Sequence, residues 1–265
     1  MTPVLAVMAG LLGLAVGSFL NVVVWRVPRG ESVVTPRSHC PNCDAGIRPR
    51  DEIPVLSWLL LRGRCRDCRE PISARYPLVE MLTAAVFVAV TVRFRDDLGF
   101  LPAYLYLGAL GVALALIDFD IKKLPNALTL PAYVVGPVLL VLAVLSHHGG
   151  GWSALLRAVC GLVAMYAFYY VLWFGTGGRG MGFGDVKLAS VVGLFLAFLG
   201  WQVWLVGLFA GFFVGGVVGL ALMAGGKAGR KTKLPYGPFM LVGALIAILL
   251  GTGIAHSYLH VVGQA

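Results

Sequence analysis

Charged side chains are scarce in this sequence: 12% of 265 residues, against roughly a quarter in an ordinary soluble domain. With 59% of the residues apolar, intrinsic disorder is excluded. So is a water-soluble globule, which at this size has too little interior to hide that much apolar surface. Cysteine is sparse as well, five in the whole chain, which rules out a small disulfide-stapled scaffold. Glycine is abundant at 35 residues but shows no three-residue period, so a collagen-like chain is out. What remains, at a mean hydropathy of +0.87, is an integral membrane protein.

The few charges are concentrated. Ten arginines and six acids lie between Arg26 and Arg75, 16 of the 33 charged residues (21 Lys+Arg and 12 Asp+Glu), together with four of the five cysteines. The rest reads as apolar runs near the ~20 residues that span a bilayer. The runs are 4–25, 77–93, 101–118, 127–146, 152–174, 186–200, 202–223 and 238–259. The expected fold is an all-α polytopic bundle of about eight transmembrane helices, with one polar insert after the first. The 77–93 and 186–200 runs are short, and the break at Gly200 and Trp201 is the least marked.

The first run has no basic residue before it, exceeds a signal-peptide core in length and is followed by its positive charge, so it reads as a retained anchor. If eight spans alternate from an outside N-terminus, eighteen of the 21 Lys+Arg fall on one side. They are the ten at 26–76, Lys122 and Lys123, Arg179 and Lys187, and four within 224–237. The opposite side has Arg93 and Arg95, and Arg157 lies inside a span. The positive-inside rule makes the basic side cytoplasmic. The net charge of +9 then serves orientation and anionic headgroups, and no nucleic-acid-binding module accompanies it.

Within the insert, Cys40-Pro-Asn-Cys43 and Cys65-Arg-Asp-Cys68 are two C-x-x-C pairs with 21 residues between them. Two such pairs can place four thiolates at tetrahedral corners, the closed arrangement of a structural zinc site with no position left for water. A pair of disulfides is the competing reading, and the cytoplasmic placement disfavours it. A redox C-x-x-C would need one pair and a βαβ context, which is absent. His39 can stand in as a ligand or be an ordinary loop histidine, and Cys160, alone in an apolar run, reads as a small buried hydrophobe.

Glu80, Asp118, Asp120 and Asp185 are the acids within or at the ends of apolar runs, where a carboxylate is costly and marks function by default. Asp118 ends one run and Asp185 opens another, both at the cytoplasmic edge. Two carboxylates at one depth can share a proton, so that one donates while the other activates water, as in aspartic proteases. Asp120 is about 200° around the helix from Asp118 and cannot face the same partner, so it reads as a solvated helix end. Glu80 has the alternative of an ion pair or an interhelical hydrogen bond, and Lys187 that of a snorkelling anchor. Gly180-x-Gly182-x-Gly184 lacks the strand that a phosphate loop requires. It reads instead as a side-chain-free stretch that lets backbone approach Asp185.

Six blocks in order resemble the type IV prepilin peptidases, bifunctional membrane enzymes of pilus and type II secretion systems. They are Gly17-Ser-Phe-Leu-Asn-Val-Val-Val24, the cysteine pairs (the second within Leu61-Arg-Gly-Arg-Cys-Arg-Asp-Cys68), Ile72-Ser-Ala-Arg-Tyr-Pro-Leu-Val-Glu80, Ile117-Asp-Phe-Asp-Ile-Lys-Lys-Leu-Pro-Asn126, Gly182-Phe-Gly-Asp-Val-Lys-Leu188 and Leu234-Pro-Tyr-Gly-Pro-Phe239. The Gly-x-Gly-Asp element is shared with other intramembrane aspartyl proteases. The resemblance implies a protease that cuts the short basic leader of type IV pilin-like precursors just after a glycine, with Asp118 and Asp185 as the catalytic pair. It also implies N-methylation of the new terminus with S-adenosylmethionine, linked to the N-terminal cytoplasmic part, where Glu80 and the four cysteines match. Asn126 departs from the Asp that many members carry.

The expected organisation is thus a first transmembrane helix at 1–25, a cytoplasmic zinc segment at 26–76 and a peptidase domain at 77–265. The protein is expected in the bacterial cytoplasmic membrane, multi-pass, with its N-terminus outside. Its expected partners are pilin-like precursors and the lipid bilayer, without nucleic acid. A proton-coupled transporter would also use intramembrane acids and broken helices, and a scaffold would use the zinc segment for docking.

Overall fold

A computed structural model describes residues 2–146, 151–226, 229 and 234–261. The basic residues Lys227, Arg230, Lys231 and Lys233, and residues 147–150 and 262–265, lie outside the described residues. Among the described residues there are eight long helices. They are α1 (Thr2–Arg26), α3 (Arg75–Arg93), α4 (Leu101–Ile121), α5 (Asn126–Leu145), α6 (Gly151–Gly175), α7 (Phe183–Leu199), α8 (Trp201–Ala224) and α9 (Gly237–Val261). The short helix α2 (Leu56–Leu60) lies in the polar insert, with 3-10 turns at Val27–Arg29 and Pro49–Asp51. Each long helix falls on one of the eight apolar runs. Seven are long and apolar enough to cross a membrane, and α7, at 17 residues, is shorter. The protein is an all-helical multi-pass membrane protein.

The ends of the helices follow local chemistry. Gly200 separates α7 from α8 by itself, at φ 152° and ψ 157°. That backbone region is essentially reserved for glycine, which is why one residue suffices to break an otherwise continuous apolar run. Lys122 closes α4 in the left-handed conformation at φ 53°, its N–H returning to the Asp118 carbonyl at 2.9 Å.

The chain divides into two compact units, Met1–Arg95 with Gly108–Ala113, and Asp96–Leu107 with Leu114–Ala265. In the first, α1 lies against α3 through glycine. A Cβ on Gly13 would stand 2.6 Å from the Ala84 Cα, and one on Gly17 2.7 Å from the Glu80 Cα. Two small residues four apart let helix backbones approach this closely where no hydrophobic effect drives them together.

In the second unit α7 is the centre: 13 of its 17 residues are buried, and α5, α6, α8 and α9 all pack on it. α6 approaches through Gly161, where a Cβ would meet the Ala197 Cβ at 2.1 Å. Ala154, Ala158, Gly161, Met165 and Tyr169 are the buried positions of α6, and Cys160 is exposed, one residue and about 100° off that face. The expectation of a buried Cys160 is corrected accordingly. Phe174, Phe209, Phe213 and Leu220 also stand outward, a surface suited to lipid.

A short helix inside an apolar bundle leaves carbonyls without partners at its C-terminal end. Arg157 of α6 donates from Nε to Ala197 O at 2.6 Å and from a terminal nitrogen to Phe198 O at 2.7 Å. The Tyr104 hydroxyl donates to Phe195 O at 2.8 Å. Replacing Arg157 by Leu should therefore lower the stability of the purified protein by about 3 kcal/mol, the loss of two charge-assisted bonds. Lysine should recover part of that. Thermal unfolding in detergent checks it: no difference between wild type and Arg157→Leu would mean that these carbonyls find other partners.

Candidate functional site

Asp118 lies in the last turn of α4 and is 5% exposed. Its Oδ2 accepts the N–H of Gly237, the first residue of α9, at 3.1 Å. A Cβ on Gly237 would stand 2.9 Å from that oxygen, so glycine is what lets the backbone come this close. Asp185, 8% exposed, is the third residue of α7. Its Oδ2 accepts the Gly182 N–H at 3.0 Å, and its own N–H donates to the Gly182 carbonyl at 3.1 Å. The carboxylate thereby serves a donor that the start of the helix leaves unpaired. The glycine stretch does bring backbone to Asp185, through Gly182. Gly184 instead packs on α4's exit, where a Cβ would be 3.1 Å from the Leu124 Cβ.

Asp185 lies within electrostatic reach of Asp118 and of the hydroxyls of Tyr169 and Tyr236. Those two hydroxyls hydrogen-bond each other at 2.9 Å. Tyr236 immediately precedes Gly237, so one two-residue stretch sends an amide to Asp118 and a phenol to Tyr169. Sequence reasoning missed both tyrosines. The only available signal was Tyr236 within the Leu234-Pro-Tyr-Gly-Pro-Phe239 block. Lys187 does more than reach for solvent: its Nζ donates to Asn126 Oδ1 at 2.9 Å and lies 5.2 Å from the Phe183 ring centroid. The Tyr133 hydroxyl pairs with Ser190 and also donates to Lys187 O at 3.0 Å. These bonds tie the start of α5 to α7, and the departure at Asn126 keeps a hydrogen bond there. Asp120 is exposed at the end of α4.

The cysteine segment is built from two copies of one turn. Cys40 N–H donates to Ala45 O at 2.9 Å and Asp44 N–H to Cys40 O at 2.9 Å; Cys65 N–H donates to Glu70 O at 2.8 Å and Arg69 N–H to Cys65 O at 3.1 Å. Asp44 and Arg69 both take left-handed backbone, at φ 59° and 63°. The flanking bridges, His39 with Gly46 and Arg64 with Pro71, keep the same 25-residue offset as Cys40 and Cys65. All four sulfurs lie within 4.8 Å of one another, and Cys40 Sγ is 3.7 Å from Cys68 Sγ.

Four thiolates about 2.3 Å from a tetrahedral zinc ion would be about 3.8 Å apart, so the residues present fit such an ion. The Glu70 amide and the Asn42 side chain lower the pKa of the Cys68 thiol, while the neighbouring thiols raise that of Cys43. His39 is not among the converging groups. Its Nδ1 lies 3.1 Å from Arg37 O and its Nε2 3.7 Å from Asp44. Arg48 to Asp67 at 3.1 Å, and Arg66 to Asp51 in two bonds of 2.8 and 2.6 Å, clamp the segment. The hydrogen-bonded Arg66 guanidinium keeps the Asp51 carboxyl below its usual range.

Glu80, 7% exposed on α3, accepts the Val55 N–H at 2.7 Å. Its observed partner is thus loop backbone, and the bond is not one between helices. Val55 sits at φ 60°, a strained conformation for a β-branched residue, costing about 1–3 kcal/mol where nothing holds it. A cavity of about 220 Å³ lined by Arg26, Arg37, Ser38 and Glu52 lies in the same unit. It is smaller than the roughly 300–1,000 Å³ of typical small-molecule sites, so it does not hold S-adenosylmethionine as it stands, and the larger groove of about 660 Å³ beside Arg62, Arg64 and Arg69 is open.

The fold and its interior pair of acids define a polytopic membrane protein with an acidic centre at the ends of two helices. Two family profiles match the chain: the bacterial peptidase A24 N-terminal domain over residues 11–94, and the type IV leader peptidase family over residues 105–220. A prepilin leader peptidase/N-methyltransferase of Aeromonas hydrophila is 37% identical over 273 residues, 94% of this chain and 92% of that one. The enzyme of that name from Pseudomonas aeruginosa is 35% identical over 96% of this chain and 93% of its own. One from Myxococcus xanthus is 43% identical over 87% of this chain and 67% of its own. No solved structure matches. The chain belongs to the type IV leader peptidase family, and the transporter alternative gains no support from these relatives.

The grip of Glu80 on Val55 is testable without any activity. Glu80→Ala should free the loop and speed limited proteolysis within residues 53–69 several-fold, whereas Glu80→Gln, which keeps an acceptor oxygen, should stay close to wild type. Equal protection in all three proteins would mean the bond does not hold the loop.

Proposed function

We propose that the protein is an intramembrane aspartic endopeptidase that removes the short basic leader from type IV prepilin-like precursors, with Asp118 and Asp185 as its catalytic pair. The observation that carries this reading is the placement of the two acids: both buried, both in one unit, each steadied by the N–H of a glycine from a different loop. The relatives' names, prepilin leader peptidase/N-methyltransferase, supply the substrate class. We place the enzyme in the bacterial cytoplasmic membrane with its N-terminus outside, on the strength of the basic-residue asymmetry. The precursor's apolar helix would then enter from the bilayer while its leader stays in the cytoplasm.

In this mechanism one carboxyl group of the pair carries a proton and the other is ionised. The ionised one takes a proton from water as that water attacks the scissile carbonyl, and the protonated one gives its proton to the carbonyl oxygen. The tetrahedral diol then collapses as a proton passes to the departing nitrogen, with no covalent enzyme intermediate. The amides of Gly237 and Gly182 hold the carboxylates in place for both proton transfers. Cys40, Cys43, Cys65 and Cys68 would hold zinc as a structural cross-link between the two knuckles. The second activity, N-methylation with S-adenosylmethionine, rests on the relatives' names and is assigned to the N-terminal part at 26–76, with no step routed through any residue.

Cleavage of a prepilin-like peptide by purified single variants tests the pair. Asp118→Asn and Asp185→Asn should each lose at least about 10³-fold in rate, the scale of general acid–base catalysis. Asp120→Asn should stay within about twofold, the exposed acid taking no part in proton transfer. Retention of activity by either of the first two would sink the dyad. Gly237→Ala should lower kcat about tenfold or more at unchanged helical content, because the added methyl displaces the Asp118 carboxylate. Elemental analysis should find one zinc per chain, falling below half in Cys68→Ser. A wild-type value under half would remove zinc from the cysteine site.

A further inference from the structure

The polar insert carries a feature that peptide hydrolysis does not use. Ile53, Leu56, Leu59 and Leu60 are 47, 48, 58 and 73% exposed, a run of large apolar side chains on one turn of chain. The turn is held rigidly. Trp58 folds inward, its Nε1 donating to Ile72 O at 3.0 Å, and its ring leaves room only for glycine at Gly63. The Ser57 hydroxyl donates to Arg50 O at 3.0 Å, and Glu80 grips Val55. A preorganised apolar surface of this kind marks an interaction site.

The depth of the turn says with what. Glu80 lies five residues beyond Arg75, where α3 begins, and therefore about 7.5 Å along the helix axis. α3 is a membrane span, and the headgroup layer on one side of a bilayer is only several ångströms thick. A loop whose backbone is bonded to the Glu80 carboxylate is thus level with the headgroups and the outermost acyl carbons. At that level Tyr76, Leu78, Met81 and Leu82 of α3 are exposed too, so the apolar turn continues a surface that already faces lipid. Immediately after it, Arg62, Arg64 and Arg69 gather with Leu60 and Leu61 around one open groove. Guanidinium groups beside leucines match a phosphate beside acyl chains.

We propose that residues 53–60 form a wedge seated in the membrane interface, and that Arg62, Arg64 and Arg69 bind the headgroup of an anionic phospholipid of the same leaflet. The proposal rests on the membrane span of α3 and not on the peptidase reading.

The test uses the full-length protein in nanodiscs of phosphatidylcholine with or without phosphatidylglycerol. Benzoyl-phenylalanine placed at Leu59 should cross-link to lipid on illumination, and the same probe at Asp44, whose side chain is 94% exposed, should not. The Arg62→Gln/Arg64→Gln/Arg69→Gln variant should retain at least about tenfold less phosphatidylglycerol, relative to phosphatidylcholine, when bound lipids are counted by native mass spectrometry. Equal lipid labelling at Leu59 and Asp44 overturns the wedge. Unchanged phosphatidylglycerol retention in the triple variant overturns the headgroup site. Transfer of the Leu59 cross-link from lipid to an added prepilin-like peptide also overturns the proposal, making the turn a substrate surface. Asp118→Asn leaves all these readouts in place, so a failure of the peptidase mechanism would be seen separately.

Discussion

Hydrocarbon offers nothing to a backbone carbonyl or a carboxylate, so a polar group buried in this bundle is costly until it finds a partner within the protein. α7 shows the consequence most fully. Its first turn is served by Asp185 through Gly182, its last by Arg157 and Tyr104, and its sides are closed by four neighbouring helices. The acid that we assign to catalysis is therefore also the residue that finishes the helix start. Asp118 stands in the mirror situation, at the end of α4, with a glycine amide brought to it from α9. Both carboxylates are held by backbone N–H groups, which neither rotate nor titrate. Such a mounting suits groups that must exchange protons without moving.

The same constraint made most of the fold legible from sequence. Most charges are expelled to helix ends and to the insert, with Arg157 and Glu80 the exceptions, so eight apolar runs marked eight helices, and the scarcity of acids singled out Asp118 and Asp185. The paired cysteines were readable because ligand geometry imposes a short spacing, and their convergence within 4.8 Å is of the kind that spacing requires. What stayed hidden has two physical causes. Hydropathy cannot tell a helix face that touches lipid from one that touches protein, since both are apolar. The burial of α7 and the outward direction of Cys160 were invisible for that reason. The second cause is sequence distance. Arg157 meets Ala197 across 40 positions, Tyr169 meets Tyr236 across 67, and Glu80 meets Val55 across 25, with no local pattern announcing any of them.

The insert repeats one knuckle after 25 residues, down to the left-handed residue that follows each second cysteine. The chain between the knuckles is where the structure becomes individual. It carries α2, the strained Val55 and the outward leucines, and two arginine–aspartate pairs tie it to the second knuckle. A metal cross-link at the base and the Glu80 carboxylate at the tip would fix such a loop at both ends. That makes it a firm platform rather than a tether.

Arg157 precedes α7 in the chain, and this has a bearing on how the bundle is made. A ribosome delivers α6 to the membrane before α7 exists, so the guanidinium that will cover the carbonyls of Ala197 and Phe198 is already in place when they arrive. Until then, Arg157 lacks those two acceptors. α6 is long and apolar enough to cross the membrane by itself, its arginine reaching the interface on a long side chain, and the order of synthesis leaves it to wait for the shorter α7.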